Sequence, residues 1–328
     1  DHCGRIPLLA ERGFRGEIIT TAATRELARL VMLDAAHLQE EEARWQNRRA
    51  SRRGESHEET TPLYTTLDAL NSLDFFGRTA EYDQPIHLGD QVRATFVDAG
   101  HILGSACILL ELEEGGRQRR VLFSGDLGPQ GRVILRNPAP RPPADVVVME
   151  TTYGDRRHKQ LHPSIEELYA AIEDTFARGG NVIIPTFALE RAQELLFYLR
   201  EGTANGRLPK SLQVFLDSPM AISATEIFRR HPECYGAEAR KLFTKGRDPF
   251  SLPGLHFTRE TAESIALNKV GGGAIILAGS GMCTGGRVRH HLRHTLWRHD
   301  SSVVSVSYTH LRAHETGRHI SYAVFCLK

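Results

Sequence analysis

Up to Glu150 the spacing of apolar positions changes character more than once. Between residues 21 and about 49, Leu27, Leu30, Val31, Met32, Ala35 and Leu38 recur at the three-and-four spacing of a helix with one buried face, and the segment ends in a run of charges. That pattern predicts a long amphipathic helix with a solvated tail. Residues 48–61 are polar and short of core formers, which predicts an exposed loop, and a short helix is predicted over 67–73. A strand-rich stretch follows: 91–97 alternates, 108–112 is apolar, 118–123 enters a Gly-Asp-Leu-Gly turn, and 145–149 reads as a buried strand.

After Glu150 the period changes. Ser164 and Glu167 have the spacing of a capping box, expected to open a helix that Gly179-Gly180 closes. Three strand-to-helix units come next: 182–185 into 189–199, 212–216 into a helix after Pro219, and 274–277 into a helix beginning near Gly286. Alternating strand and helix predicts a parallel, Rossmann-like sheet, a second domain distinct from the first. The loops after those strands, Thr186-Phe187, Asp217-Ser218 and 280–285, are expected to line one crevice.

Composition narrows this picture only a little. A chain of 328 residues can bury one large core or two moderate ones. The net charge of +1 gives no global field for a nucleic acid, so such a partner would need local basic patches. Five cysteines (Cys3, Cys107, Cys234, Cys283, Cys326) are scattered and form no Cys-x-x-Cys, which points away from a disulfide framework or a zinc ribbon and towards a reducing cytoplasm. No apolar run approaches the roughly 20 residues that span a bilayer, so no membrane association is expected.

Candidate chemistry lies in three short motifs. The chain opens on Asp1-His2-Cys3-Gly4-Arg5, which reads as the last two letters of the metal motif H-x-H-x-D-H. DAGHILGSA (98–106) and FSGDLG (123–128) follow, putting His101 in a glycine-flanked loop and Asp126 at a strand end. A binuclear zinc site for phosphodiester cleavage needs neutral histidine nitrogens, carboxylates and a bridging oxygen, and Asp1, His2, His101 and Asp126 supply that mixture. Singly, His101 would more often be a hydrogen-bonded structural residue and Asp126 a turn former; the order of the three motifs favours the metal reading.

The series DHCGRIPLL, DAGHILGSA, FSGDLG and METTYGDR resembles the metallo-β-lactamase-fold nucleases that carry a β-CASP insertion, over nearly all of residues 1–305. The wording of DAGHILGSA is closest to the branch of the cleavage and polyadenylation endonuclease. The resemblance implies an α/β fold, a partial metallo-β-lactamase αββα sandwich (1–157) with an inserted parallel-sheet β-CASP domain (158–305). It implies two Zn2+ ions, with Asp1 and His2 on one, His101 on the other, Asp126 bridging, and a hydroxide between the metals that attacks phosphorus in line. Glu150 then matches the acid that orients a histidine serving as general acid. The first two histidines of H-x-H-x-D-H and the two later motif histidines are not in the chain, so it is read as truncated at both ends and expected to bind zinc poorly and cleave little alone.

On the substrate side, 279–287 (GSGMCTGGR) follows a buried strand and opens a helix, an arrangement able to hold a phosphate; it is neither a Walker loop nor a dinucleotide fingerprint. The resemblance makes single-stranded RNA the expected partner, with Ser280, Gly281, Met282, Gly285 and Arg287 on its backbone and Thr186 and Ser218 nearby. Arg191 and His158 are further cleft candidates. The basic stretch 287–299 contains Trp297, either a base-stacking residue or a core anchor. Ser218 before Pro219 also suits a helix cap. Residues 306–328 resemble the conceptual translation of a sequencing adapter and are expected to be non-native, so His310, His314 and His319 are set aside as ligands.

The expected activity is that of an RNA endonuclease, with 5′ exonuclease action a second mode and a homodimer allowed for. Two alternatives stay open: a non-catalytic RNA-binding scaffold of the same fold, and a small-molecule metallo-β-lactamase-type hydrolase, which the extra parallel domain argues against.

Overall fold

The computed structural model describes residues 2–54, 58–152, 154 and 161–305, together with the backbone of 322–324. The chain divides into two compact units, the first made of Asp1–Leu127 and Ala139–Glu150, the second of Gly128–Pro138 and Thr151–Lys328. The sequence boundary after 157 lies in a stretch, 155–160, outside the described residues.

In the first unit a five-stranded sheet runs Pro85–Gly89, Val92–Asp98, Ala106–Glu114, Arg117–Phe123, Val146–Val148, antiparallel except for its last, parallel pair. Side-chain alternation covers both faces: Ala94 and Phe96 pack on one side, Val97, Cys107, Leu109 and Leu122 on the other. The strand expected to be buried at 145–149 is instead the outermost one, with Val146, Val147 and Val148 each about half exposed (49%, 53% and 50%). Ile18–Thr20 and Phe76–Thr79 make a separate parallel pair that the sequence pattern did not announce.

Against this lies one helix, Ala22–Arg53, capped by Thr21 and ended by Gly54 in the left-handed conformation. Ala28, Met32 and Ala36 bury against Tyr64, Ala69 and Phe76. The helix outruns its predicted end, so residues 48–53 are helical rather than loop. The cause is tertiary: the Asn47 amide donates to Thr60 O at 2.8 Å and its oxygen accepts from Thr60 N at 2.9 Å, which ties the returning chain to the last turns. A true capping box sits at Thr65 and Asp68, opening Thr66–Ser72.

The second unit carries a six-stranded, all-parallel sheet in the order Leu255–Phe257, Gln213–Asp217, Ala274–Ala278, Val182–Pro185, Ser302–Ser305, Tyr322–Val324. Its central strands are wholly buried, as continuous apolar runs require in a sheet covered by helices. The predicted cap at Ser164 is not one: the helix runs Leu161–Ala177 and Ser164 is buried inside it. Residues 306–321 and 325–328, with His310, His314 and His319, lie outside the described residues.

Gly128–Pro138 joins the second unit by a buried ion pair. Arg132 Nη1 lies 3.4 Å from Glu190 Oε1 and 3.7 Å from Glu194 Oε1, each of these side chains 5% exposed. Charges so deeply buried are kept only with partners at hand.

Candidate functional site

The loop between Asp98 and Ala106 is built around one side chain, His101. Gly100 N donates to Asp98 Oδ1 at 2.9 Å, and Ser105 Oγ accepts from both His101 N (2.9 Å) and Ile102 N (3.2 Å), closing the loop around His101. The base of the loop is latched to the long helix, where the Thr21 and Thr24 hydroxyls donate to Gly104 O at 2.8 and 2.9 Å. Gly104 has φ +78°, and a Cβ there would sit 2.8 Å from Thr21 Oγ1 and Thr24 N, so no other residue fits the latch.

Asp126 follows the strand Arg117–Phe123. Ser124 N donates to Val148 O at 2.9 Å, Glu150 N to Ser124 Oγ at 3.2 Å, and Leu127 N to Glu150 Oε1 at 2.9 Å. Glu150 therefore braces the turn that presents Asp126, which sequence reasoning did not anticipate. The strand at Val146–Val148 delivers it two residues past the end of the parallel pairing.

Two imidazoles converge on Asp126. His2 Nε2 lies 3.1 Å and His101 Nε2 3.5 Å from the same oxygen, Asp126 Oδ2. His101 is 14% exposed and His2 78%. The donor set is the nitrogen-and-carboxylate kind that zinc takes, and two donors about 2.0–2.1 Å from one tetrahedral ion stand roughly 3.3 Å apart. The two measured separations bracket that spacing, so these residues fit part of a zinc site. As they stand, no group of three or more His, Cys, Asp or Glu side chains among the described residues could hold an ion. Asp1 lies outside the described residues.

In the second unit the strand register draws three predicted loops together. Ala278 pairs with Pro185 on one side and Asp217 on the other, so Thr186, Ser218 and Gly279 leave the sheet side by side. Each has local duties. Thr186 is buried and its hydroxyl donates to Phe187 O at 3.2 Å, while Ser218 caps Pro219–Arg230 by accepting from Ala221 N at 3.2 Å. Ser280 Oγ accepts from Met282 N and Gly285 N, both at 3.3 Å, so those two amides are taken up within the loop. Gly281 packs on the Phe187 ring, and Gly286, at φ +70°, abuts Gly279 O where a Cβ would come within 2.3 Å.

Arg287, expected on the substrate, is engaged in the fold through three of its donors. Its guanidinium donates to Asp217 Oδ1 at 2.7 Å, Thr258 O at 3.0 Å and Arg259 O at 2.6 Å. Asp217, fully buried, also receives Ser264 Oγ and His291 Nε2, each at 2.6 Å on Oδ2. Burial alone would raise the Asp217 carboxyl; the hydrogen bonds from His291, Ser264 and Arg287 overcome it and hold it below the usual carboxylate range. This hub was missed, although Arg287 and His291 stand four apart on one helical face and Asp217 ends a buried strand. Arg191 is likewise engaged, 2.7 Å from Glu194. Trp297 is 73% exposed, which excludes the core-anchor role, and His158 lies outside the described residues.

Comparison with known proteins agrees with this layout. Residues 192–320 match the family model of the Beta-Casp domain, extending into the stretch set apart from 306 onward. The chain is 36% identical over 308 residues to a ribonuclease of Thermus thermophilus, a match covering 94% of this chain and 65% of that protein. It is 31% identical over 320 residues to the transcription termination factor FttA of Methanothermobacter thermautotrophicus (94% and 46%) and 29% identical over 313 residues to that of a Lokiarchaeum (94% and 46%). The chain thus spans about half to two thirds of the length of these relatives.

Proposed function

Since the chain belongs to the β-CASP family, we propose that it is the hydrolytic part of a zinc-dependent ribonuclease that cuts single-stranded RNA internally, with 5′ exonuclease action as a second mode. The observation that carries this reading is the convergence of His2 and His101 Nε2 on Asp126 Oδ2 at 3.1 and 3.5 Å. His2, His101 and Asp126, together with Asp1, would hold two Zn2+ ions. Bound there, the ions would supply positive charge to a phosphodiester and a nucleophile from water at neutral pH. The chain's own residues do the rest: Ser105 and Gly104 fix the loop that carries His101, and Glu150 holds the turn that carries Asp126. A ligand fixed by surrounding hydrogen bonds reorganises little when it binds an ion. The name of the Thermus relative supports RNA as substrate, and among the described residues no helix is long and apolar enough to cross a membrane.

A second reading is an RNA-binding protein that does not cut. Zinc content separates the two. We expect the purified chain to take up zinc, less tightly than a complete two-ion site would, and to lose it on His101→Ala; no zinc uptake, or uptake unchanged by that substitution, would defeat the proposed site.

A further inference from the structure

The far end of the long helix has a face that the hydrolytic reading does not use. Trp45, Arg48, Arg49, Arg52 and Arg53 recur at the three-and-four spacing of a single helical face and line a surface groove of about 290 Å3. At 3.6 residues per turn this face points opposite to Ala43 and Ala50, which are the buried residues of those turns. It is turned away from the body of its own unit by the same packing that holds the helix.

Three of these arginines, Arg48, Arg49 and Arg52, are not neutralised by any described carboxylate. The nearby carboxylates are committed elsewhere: Glu40 binds Arg44 and Thr66 N, Glu41 lies 3.4 Å from His37, and Glu42 accepts from Gln46. Among the described residues, Arg48, Arg49 and Arg52 make no ion pair, and the exposed Glu58 and Glu59 pair with none of them. Arg52 and Arg53 also favour the helix C-terminus, but that accounts for neither Arg48 and Arg49 nor an exposed tryptophan among them. The Arg49 guanidinium lies 5.1 Å from the Trp45 ring centroid, and Trp45 is still 48% exposed, which leaves ring surface for a base.

We infer that this face is a landing strip for single-stranded RNA, with the arginines on successive phosphates and a base stacked on Trp45. The inference rests on the ribonuclease reading and adds a second contact for the same substrate. The helix itself sets the separation. Its N-terminus is latched at Gly104 beside His101, and at 1.5 Å per residue Trp45 lies roughly 35 Å and Arg53 roughly 46 Å along the axis. A strand stacked at about 3.4 Å per nucleotide needs roughly ten nucleotides to cover the shorter distance. A stacked RNA of about 8 nucleotides spans only about 27 Å and occupies one place at a time, whereas one of about 24 nucleotides covers both.

The test is fluorescence anisotropy of labelled oligouridylates of about 8 and about 24 nucleotides, in chelator so that binding alone is read. Wild type is compared with the triple variant Arg48→Gln, Arg49→Gln, Arg52→Gln and with Trp45→Leu, each matched to wild type in circular dichroism and melting temperature. The triple variant should bind the long RNA about tenfold or more weakly, with a salt slope smaller by about 2, and the short RNA, which is long enough to occupy the strip alone, should lose affinity as well. Trp45→Leu should weaken long-RNA binding without changing the salt slope. Equal long-RNA affinity in wild type and triple variant would overturn the inference. So would binding of phosphatidylserine vesicles lost in the triple variant while RNA affinity stays unchanged. A failed strip leaves Asp126→Ala still abolishing cleavage, whereas a failed ribonuclease reading leaves cleavage indifferent to Asp126, so the two failures are told apart.

Discussion

Asp217→Asn is the sharpest test of how the second unit is held. Asp217 presents two carboxylate oxygens to three donors, Arg287 on one and Ser264 with His291 on the other, and the side chain is fully buried. Asparagine keeps the shape but turns one acceptor into an NH2, so at least one donor faces another donor. Removing one member of a buried charged pair costs about 3–5 kcal/mol. Arg287 is 21% exposed, so water recovers part of its charge and the lower end, about 3 kcal/mol, is expected. In a unit of this size that is roughly 6–12 °C in melting temperature. The assay is urea and thermal unfolding, with the second unit's transition followed separately. Because hydrogen bonds hold the folded carboxyl below its ordinary value, its contribution is complete above about pH 4 and lost as pH falls through the lower folded value. The gap between wild type and variant should therefore close in acid. A gap under about 1 kcal/mol at neutral pH, or one that persists unchanged at about pH 2, would refute the hub.

Three further substitutions probe the first unit and the loops. Gly104→Ala forces a Cβ into the Thr21 and Thr24 latch at φ +78°, so a loss of about 2–4 kcal/mol is expected in chemical denaturation, with His101 displaced in its NMR signal. Glu150→Ala frees the Asp126 turn and should weaken zinc affinity about 10–100-fold by titration while leaving the melting temperature nearly unchanged. Ser218→Ala removes a helix cap and should cost about 1 kcal/mol in unfolding, whether or not RNA is present.

The elements legible in the sequence are those set by local periodicity. Apolar spacing placed the long helix, and the three buried runs at Val182–Pro185, Gln213–Asp217 and Ala274–Ala278 placed the parallel sheet. What escaped depends on partners distant in the chain. The helix runs to Arg53 because Asn47 binds Thr60, and Ser164 is no cap because the helix begins at Leu161. The Asp217 hub joins residues 217, 264, 287 and 291, a conjunction no local window contains. Motif order brought His101 and Asp126 to notice, but Glu150 as the brace of the Asp126 turn needed the parallel pairing of Val146–Val148. Arg287 reads as a phosphate ligand by position alone, which cannot reveal that its guanidinium also holds Asp217, Thr258 O and Arg259 O.

The central claim is that Asp126, with His2 and His101, anchors a metal-dependent site for cutting RNA. It is tested most directly by the cleavage rate of single-stranded RNA in zinc, wild type against Asp126→Ala, in the longest polypeptide the gene encodes. The account predicts a loss of roughly 100-fold or more with the fold intact, beyond the effect of disturbing a group that only supports a ligand. A cleavage rate unchanged by Asp126→Ala would contradict it.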